Sequence, residues 1–202
     1  MNAPIPALWI VPASAILALF FAYRFFAWMM AKDEGTETMK RIAAHVRAGA
    51  RAYLNQQYKI VGLVFLVIAA VFAFMAYGLK VQNPWVPFAF VSGGLFSGIA
   101  GYFGMRTATY ASARAAAAAR ESLNDALIVA FRSGAVMGLV VVGLALLDIF
   151  IWFLVLDHFI EDPVPGHKLI LVTTTMLTFG MGASLQALFA RVGGGIFTKA
   201  AD

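Results

Sequence analysis

Leu169-Ile-Leu-Val-Thr-Thr-Thr-Met-Leu-Thr-Phe-Gly-Met-Gly-Ala-Ser-Leu-Gln-Ala-Leu-Phe-Ala190 contains no charged residue, and Arg191-Val192-Gly193-Gly194-Gly195-Ile196-Phe197-Thr198-Lys199-Ala200-Ala201-Asp202 follows it directly. A run of this length and apolarity is enough for one helix to cross a bilayer core of ~30 Å. Three ionisable groups then arrive together. In hydrocarbon each would cost at least ~2.5 kcal/mol, so their place at the end of a span calls for a reason. If the helix runs on through the glycines, Arg191 and Asp202 lie eleven residues apart, near one face and roughly 16 Å apart along the axis. Lys199 and Asp202, three apart, are neighbours on the helix surface. One cation therefore sits deeper in the membrane, and a cation–carboxylate pair sits at its mouth.

Working outward, the composition agrees with a membrane protein. The chain is 62% hydrophobic with a mean hydropathy of +0.83, more apolar surface than a soluble domain of 202 residues could hide. The net charge of +5 invites a nucleic-acid reading, which fails because the basic residues fall in membrane-flanking segments rather than on one soluble face. The absence of cysteine excludes disulfides and thiol chemistry. His45, His158 and His167 show no metal-ligand spacing.

Five spans are expected, at about 7–30, 60–79, 85–105, 134–156 and 169–197. Arg24 reads as a snorkelling arginine near the end of the first. Between the first two, Met39, Ile42, Ala43, Val46, Ala50, Tyr53 and Leu54 recur at helical spacing, so this basic segment is an amphipathic helix. Periodicity does not say whether it lies on the membrane or leads into the next span. The third span carries a ridge of small residues (Gly93, Ser97, Gly101, with Gly94 and Gly98 beside it), which allows helix backbones to approach closely. After Arg106 its alanine-rich continuation stays helical past the lipid. Asp148 lies inside the fourth span, close enough to its outer end for water or a neighbouring helix to satisfy it, and a structural role is preferred. The segments 31–59, 106–132 and 191–202 hold six, four and two Lys/Arg, against only Lys80 and Lys168 on the opposite side. The positive-inside rule then puts the N-terminus outside and the closing motif in the cytoplasm. The fold expected is an all-α polytopic membrane bundle.

The glycine triplet followed by lysine is not a P-loop, because Lys199 is followed by Ala200 rather than Ser or Thr. What remains is a lysine suited to a phosphate oxygen beside a carboxylate suited to Mg²⁺. Residue types alone favour an ordinary interfacial ion pair.

The closing motif resembles the fifth-helix motif of the membrane-bound, ion-pumping inorganic pyrophosphatases. Three further stretches are similar to the same family in the same order. They are Glu34-Gly35-Thr36 with Gly49-Ala50-Arg51-Ala52-Tyr53-Leu54; Gly101-Tyr102-Phe103-Gly104-Met105-Arg106-Thr107-Ala108-Thr109; and Ala130-Phe131-Arg132-Ser133-Gly134-Ala135-Val136-Met137-Gly138. The resemblance runs from about residue 8 to the last residue. It implies a larger helical bundle of about sixteen spans, of which this chain would be the N-terminal third. It also implies hydrolysis of cytoplasmic pyrophosphate with Mg²⁺ (and K⁺ as an activator in some members), driving H⁺ or Na⁺ outward across what would be a bacterial inner membrane. By position, Lys199 would contact pyrophosphate, Asp202 would ligate a substrate Mg²⁺, and Arg191 would belong to the ion gate below. The partners implied are pyrophosphate, the transported ion, membrane lipid and, for the full-length protein, a second copy in a homodimer.

The carboxylates, lysines and water-activating base that the family places after the Asp202 position are absent from the chain. One carboxylate and one lysine cannot hold several Mg²⁺ ions and a tetra-anion, so residues 1–202 alone are expected to release no phosphate from Mg-pyrophosphate. Phosphate release that Lys199→Ala abolishes would contradict this. Two other readings are compatible with the residue pattern. One is a non-catalytic five-span subunit for assembly or lipid interaction, in which Lys199 and Asp202 are anchors. The other, ranked last, is an anion channel lined by Arg106, Arg132 and Arg191.

Overall fold

The computed structural model describes residues 6–160 and 166–201, and is helical throughout, without a strand among them. Glu161, Asp162, Pro163 and Pro165, between the fourth and fifth spans, lie outside the described residues, as does Asp202. After a 3-10 turn at Pro6–Trp9, the helices are α1 (Ile10–Met30), α2 (Glu37–Ala73), α3 (Val86–Ala119), α4 (Leu123–Phe159) and α5 (His167–Ala201). All five are long and apolar enough to cross a membrane.

Local chemistry sets the helix ends. Thr36 accepts a hydrogen bond from the Met39 amide and starts α2, while Ser122 does the same for Asp125 at the start of α4. Such caps satisfy amides that have no partner inside the helix. Gly35, at φ +88°, makes the turn into α2 in a region that side chains disfavour. The amphipathic segment and the second span form one continuous rod, which answers the question that periodicity left open. Its buried stripe is Ala43, Ala50, Leu54, Gln57 and Val61, whereas Ile42 is exposed. A single π-helical turn at Phe74–Gly78 closes the rod. Asn83 then ties the following turn to α5, donating to the Leu171 carbonyl and to Thr175 Oγ1 at 3.2 and 2.8 Å.

The third helix is the hub. It packs against α2, α4 and α5, while α1 lies mainly on α4. The small-residue ridge explains how. A Cβ at Gly93 would overlap the Phe179 carbonyl, and one at Gly182 would overlap the Phe90 carbonyl, so α3 and α5 approach backbone to backbone. Ser97 adds a hydrogen bond to the Ala183 carbonyl at 3.1 Å. On other faces of α3, Gly94 receives the Phe65 ring of α2 and Gly104 receives the Met137 side chain of α4. Gly182→Ala should therefore force α3 and α5 apart. The expected loss is about 1–3 kcal/mol of stability, read as a lower melting temperature in detergent.

Asp148 is buried and is satisfied by a neighbouring helix. Ser92 of α3 lies 3.2 Å from its carboxyl, and Trp152 Nε1 donates to the same Ser92 hydroxyl at 2.7 Å. The arrangement fixes α4 on α3, in line with a structural role.

Candidate functional site

Helix α5 continues through Gly193–Gly195 to Ala201, so the geometry inferred from spacing applies to its described part. Lys199 is exposed in the last turn and makes no ion pair to a described residue. Arg191, eight residues earlier, lies roughly 12 Å deeper along the axis. It borders an apolar cavity of about 370 Å³ between α3, α4 and α5, with Gly93, Ser97, Met137 and Phe179 in its walls. The structure thus places Arg191 and Lys199 on one helix at two depths. Asp202 lies outside the described residues.

The face of α5 turned toward α2 is occupied differently. Gly193 is buried against the Tyr53 side chain, and Phe197 reaches Gly49. The Tyr53 and Phe197 rings lie 5.9 Å apart, tilted by 36°. Two stretches quoted above from distant parts of the chain therefore meet in space. Tyr53 and Gln57 both line a cavity of about 230 Å³ beside Ala190. The Tyr53 hydroxyl and Gln57 Nε2 are buried without a hydrogen-bond partner among the described residues.

Sequence reasoning missed the strongest electrostatic feature at this end of the bundle. Glu34 accepts from Arg114 at 2.7 Å and from Arg47 at 3.0 Å. Arg114, buried in α3, also donates to the carbonyls of Met30, Lys32 and Tyr110. It thereby satisfies backbone acceptors at and just past the end of α1, which the helix itself cannot. Arg47 lies over the Tyr110 ring at 4.8 Å. One carboxylate and two guanidinium groups join the turn after α1 to α2 and α3. The available signal was the acidic pair Asp33-Glu34 ahead of a capped helix; the partners of Glu34 at positions 47 and 114 are too remote in sequence to identify. Arg132 stands over Trp28 at 4.0 Å, as an interfacial cation would.

No group of three metal-ligating side chains forms among the described residues. The closing turn of α5 offers an anion one exposed lysine, with Arg191 eight residues before it on the same helix. The family model described as inorganic H⁺ pyrophosphatase matches residues 16–202.

The chain belongs to the inorganic H⁺ pyrophosphatase family.

Relatives agree along nearly the whole length. A Bacteroides thetaiotaomicron protein whose name describes a K(+)-stimulated pyrophosphate-energized sodium pump is 65% identical over 196 residues, covering 96% of this chain and 27% of the relative. The K(+)-insensitive pyrophosphate-energized proton pump 2 of Moorella thermoacetica is 40% identical over 193 residues, covering 96% and 26%. A proton pump of Chloroflexus aurantiacus, also named K(+)-insensitive, is 38% identical over 213 residues, covering 97% and 26%. The chain spans about a quarter of the length of these relatives, somewhat less than the third expected from the motifs. Five apolar helices and family membership make this a multi-pass membrane protein.

Proposed function

We propose that this chain is the substrate-facing N-terminal part of a membrane pyrophosphatase that couples hydrolysis of Mg-pyrophosphate to outward ion transport. The observation that carries the reading is the closing turn of α5: an exposed Lys199 without an ion-pair partner among the described residues, above Arg191 on the same helix. Pyrophosphate carries several negative charges, which must be neutralised before water can attack phosphorus. Lys199 would bind one phosphate oxygen as a point charge. Asp202 would give one oxygen ligand to a substrate Mg²⁺, and Arg191, exposed at the edge of the apolar cavity, would respond to the charge state above it. The described residues do not make a complete Mg²⁺ site. The other ligands are assigned to the part of the relatives' length that this chain does not cover.

The 65% identity to the sodium-pump relative, against 40% and 38% to the proton-pump relatives, favours Na⁺ as the transported ion and K⁺ as activator. The distribution of Lys and Arg supports a cytoplasmic closing motif and an N-terminus outside. The exposed apolar faces of α1 and α2 suit lipid or further helices, and a homodimer would use helices beyond these five. The test is to express the complete reading frame that encodes this chain in inverted vesicles. Pyrophosphate-dependent, K⁺-stimulated Na⁺ uptake supports the reading. A natural stop after residue 202, with no hydrolysis, supports the five-span subunit instead.

A further inference from the structure

Helices α2 and α5 present the same short pattern to each other: a glycine followed four residues later by an aromatic. It is Gly49 and Tyr53 on α2, and Gly193 and Phe197 on α5. The two patterns interlock in opposite directions. Phe197 approaches the place where a Cβ of Gly49 would be, at 3.7 Å from its ring. Tyr53 fills the place of a Gly193 Cβ, which would overlap the Tyr53 hydroxyl and lie 2.6 Å from its ring carbon Cζ. Pairing 49 with 197 and 53 with 193 means that the helices run antiparallel, each aromatic lying over the other helix's glycine.

This contact fixes more than distance. Residues four apart share a helix face, so Gly193 and Phe197 define the side of α5 turned to α2. At about 100° per residue, Arg191 lies roughly 160° around the helix from Gly193, and Lys199 about 120°. The aromatic–glycine face and the charged face are therefore nearly back to back. Holding one aims the other.

We propose that Tyr53 and Phe197, each seated on the other helix's glycine, form a rotational lock that orients the Lys199-bearing face of α5 toward its anion. This deepens the pyrophosphatase reading and rests on it for the identity of the anion. Tyr53 is then a positioning residue. It lies on the opposite side of α5 from the charges and does not touch the substrate. The Tyr53 hydroxyl, without a hydrogen-bond partner among the described residues, acts here through its bulk.

The test is a size exchange read in two ways. Gly193→Ala puts a methyl group where Tyr53 sits; Tyr53→Leu in the same protein makes room for it. In the 202-residue chain in detergent, amide hydrogen exchange over residues 193–199 should quicken at least about tenfold in Gly193→Ala and return to within about threefold of the parent in the double variant. In the complete pump, kcat for Mg-pyrophosphate should fall about tenfold or more with Gly193→Ala and recover in the double variant, because small misplacements of a reacting group are costly. KM should change far less than kcat. Unchanged exchange in Gly193→Ala overturns the lock. So does exchange that responds as described while hydrolysis stays constant, since the contact would then not aim the site. A double variant no better than Gly193→Ala also overturns it. An inactive parent with the exchange pattern intact would reject the pyrophosphatase assignment and, separately, leave the helix contact established.

Discussion

Lys199→Ala in the complete pump is expected to lower kcat for Mg-pyrophosphate hydrolysis by about 10²–10³, the usual effect of removing one preorganised charge from a site that stabilises a developing anion. The magnitude follows from the setting. Lys199 stands at the end of a helix fixed on two sides, by α3 through Gly182 and by α2 through Gly193, so the backbone that carries it is fixed in place. Lys199→Arg should recover little, because a planar fork does not reproduce a compact ammonium at one phosphate oxygen. Melting temperature should stay within about two degrees of the parent, since an exposed lysine without an ion pair among the described residues contributes little to folding. Steady-state phosphate release checks the first expectation and a thermal scan the second. A fall in activity that merely tracks a fall in stability would remove Lys199 from the site.

The largest expected effect on stability belongs to Glu34. Glu34→Ala leaves the guanidinium groups of Arg47 and Arg114 facing each other with no carboxylate between them. Removing one partner of a fully buried pair costs 3–5 kcal/mol as a general rule. Glu34 keeps some exposure, at 18% of its side chain, while Arg114 keeps 7%, so about 2–4 kcal/mol is expected here. Glu34→Gln should recover part of this by keeping one acceptor for Arg114. Arg114→Met should cost a similar amount by a different route, since it frees the carbonyls of Met30 and Lys32 as well as Glu34. Denaturant titration in detergent measures all three. A ranking in which Glu34→Ala is neutral would mean that the turn after α1 is held by something other than this cluster.

The parts of the fold that were legible from sequence were those set by local physics. Apolar runs long enough to span a bilayer gave the helices. The ridge at Gly93 and Ser97 anticipated a close helix contact, whereas the caps at Thr36 and Ser122 emerge only in the folded chain. Legibility ended where partners are far apart in the chain. Ile42 fits the apolar stripe of α2 by spacing, yet it faces outward, because contact with α3 centres that stripe on Ala43, Ala50 and Gln57. Arg114 lay in an alanine-rich run that predicts a helix and says nothing of a carboxylate eighty residues earlier. At the site, spacing gave the depth order of Arg191 and Lys199 and left open what holds them. Tyr53 read as one more apolar position of an amphipathic helix, and only the folded chain brings it against Gly193.

The central claim is that the closing turn of α5 is one side of a grip on magnesium pyrophosphate. The most direct measurement is a structure of the complete pump with Mg²⁺ and a non-hydrolysable pyrophosphate analogue. A phosphate oxygen within about 3 Å of Lys199 Nζ, with a Mg²⁺ on the Asp202 carboxylate at about 2.1 Å, is the predicted result. An analogue bound elsewhere, with Lys199 still pointing into solvent, would contradict it.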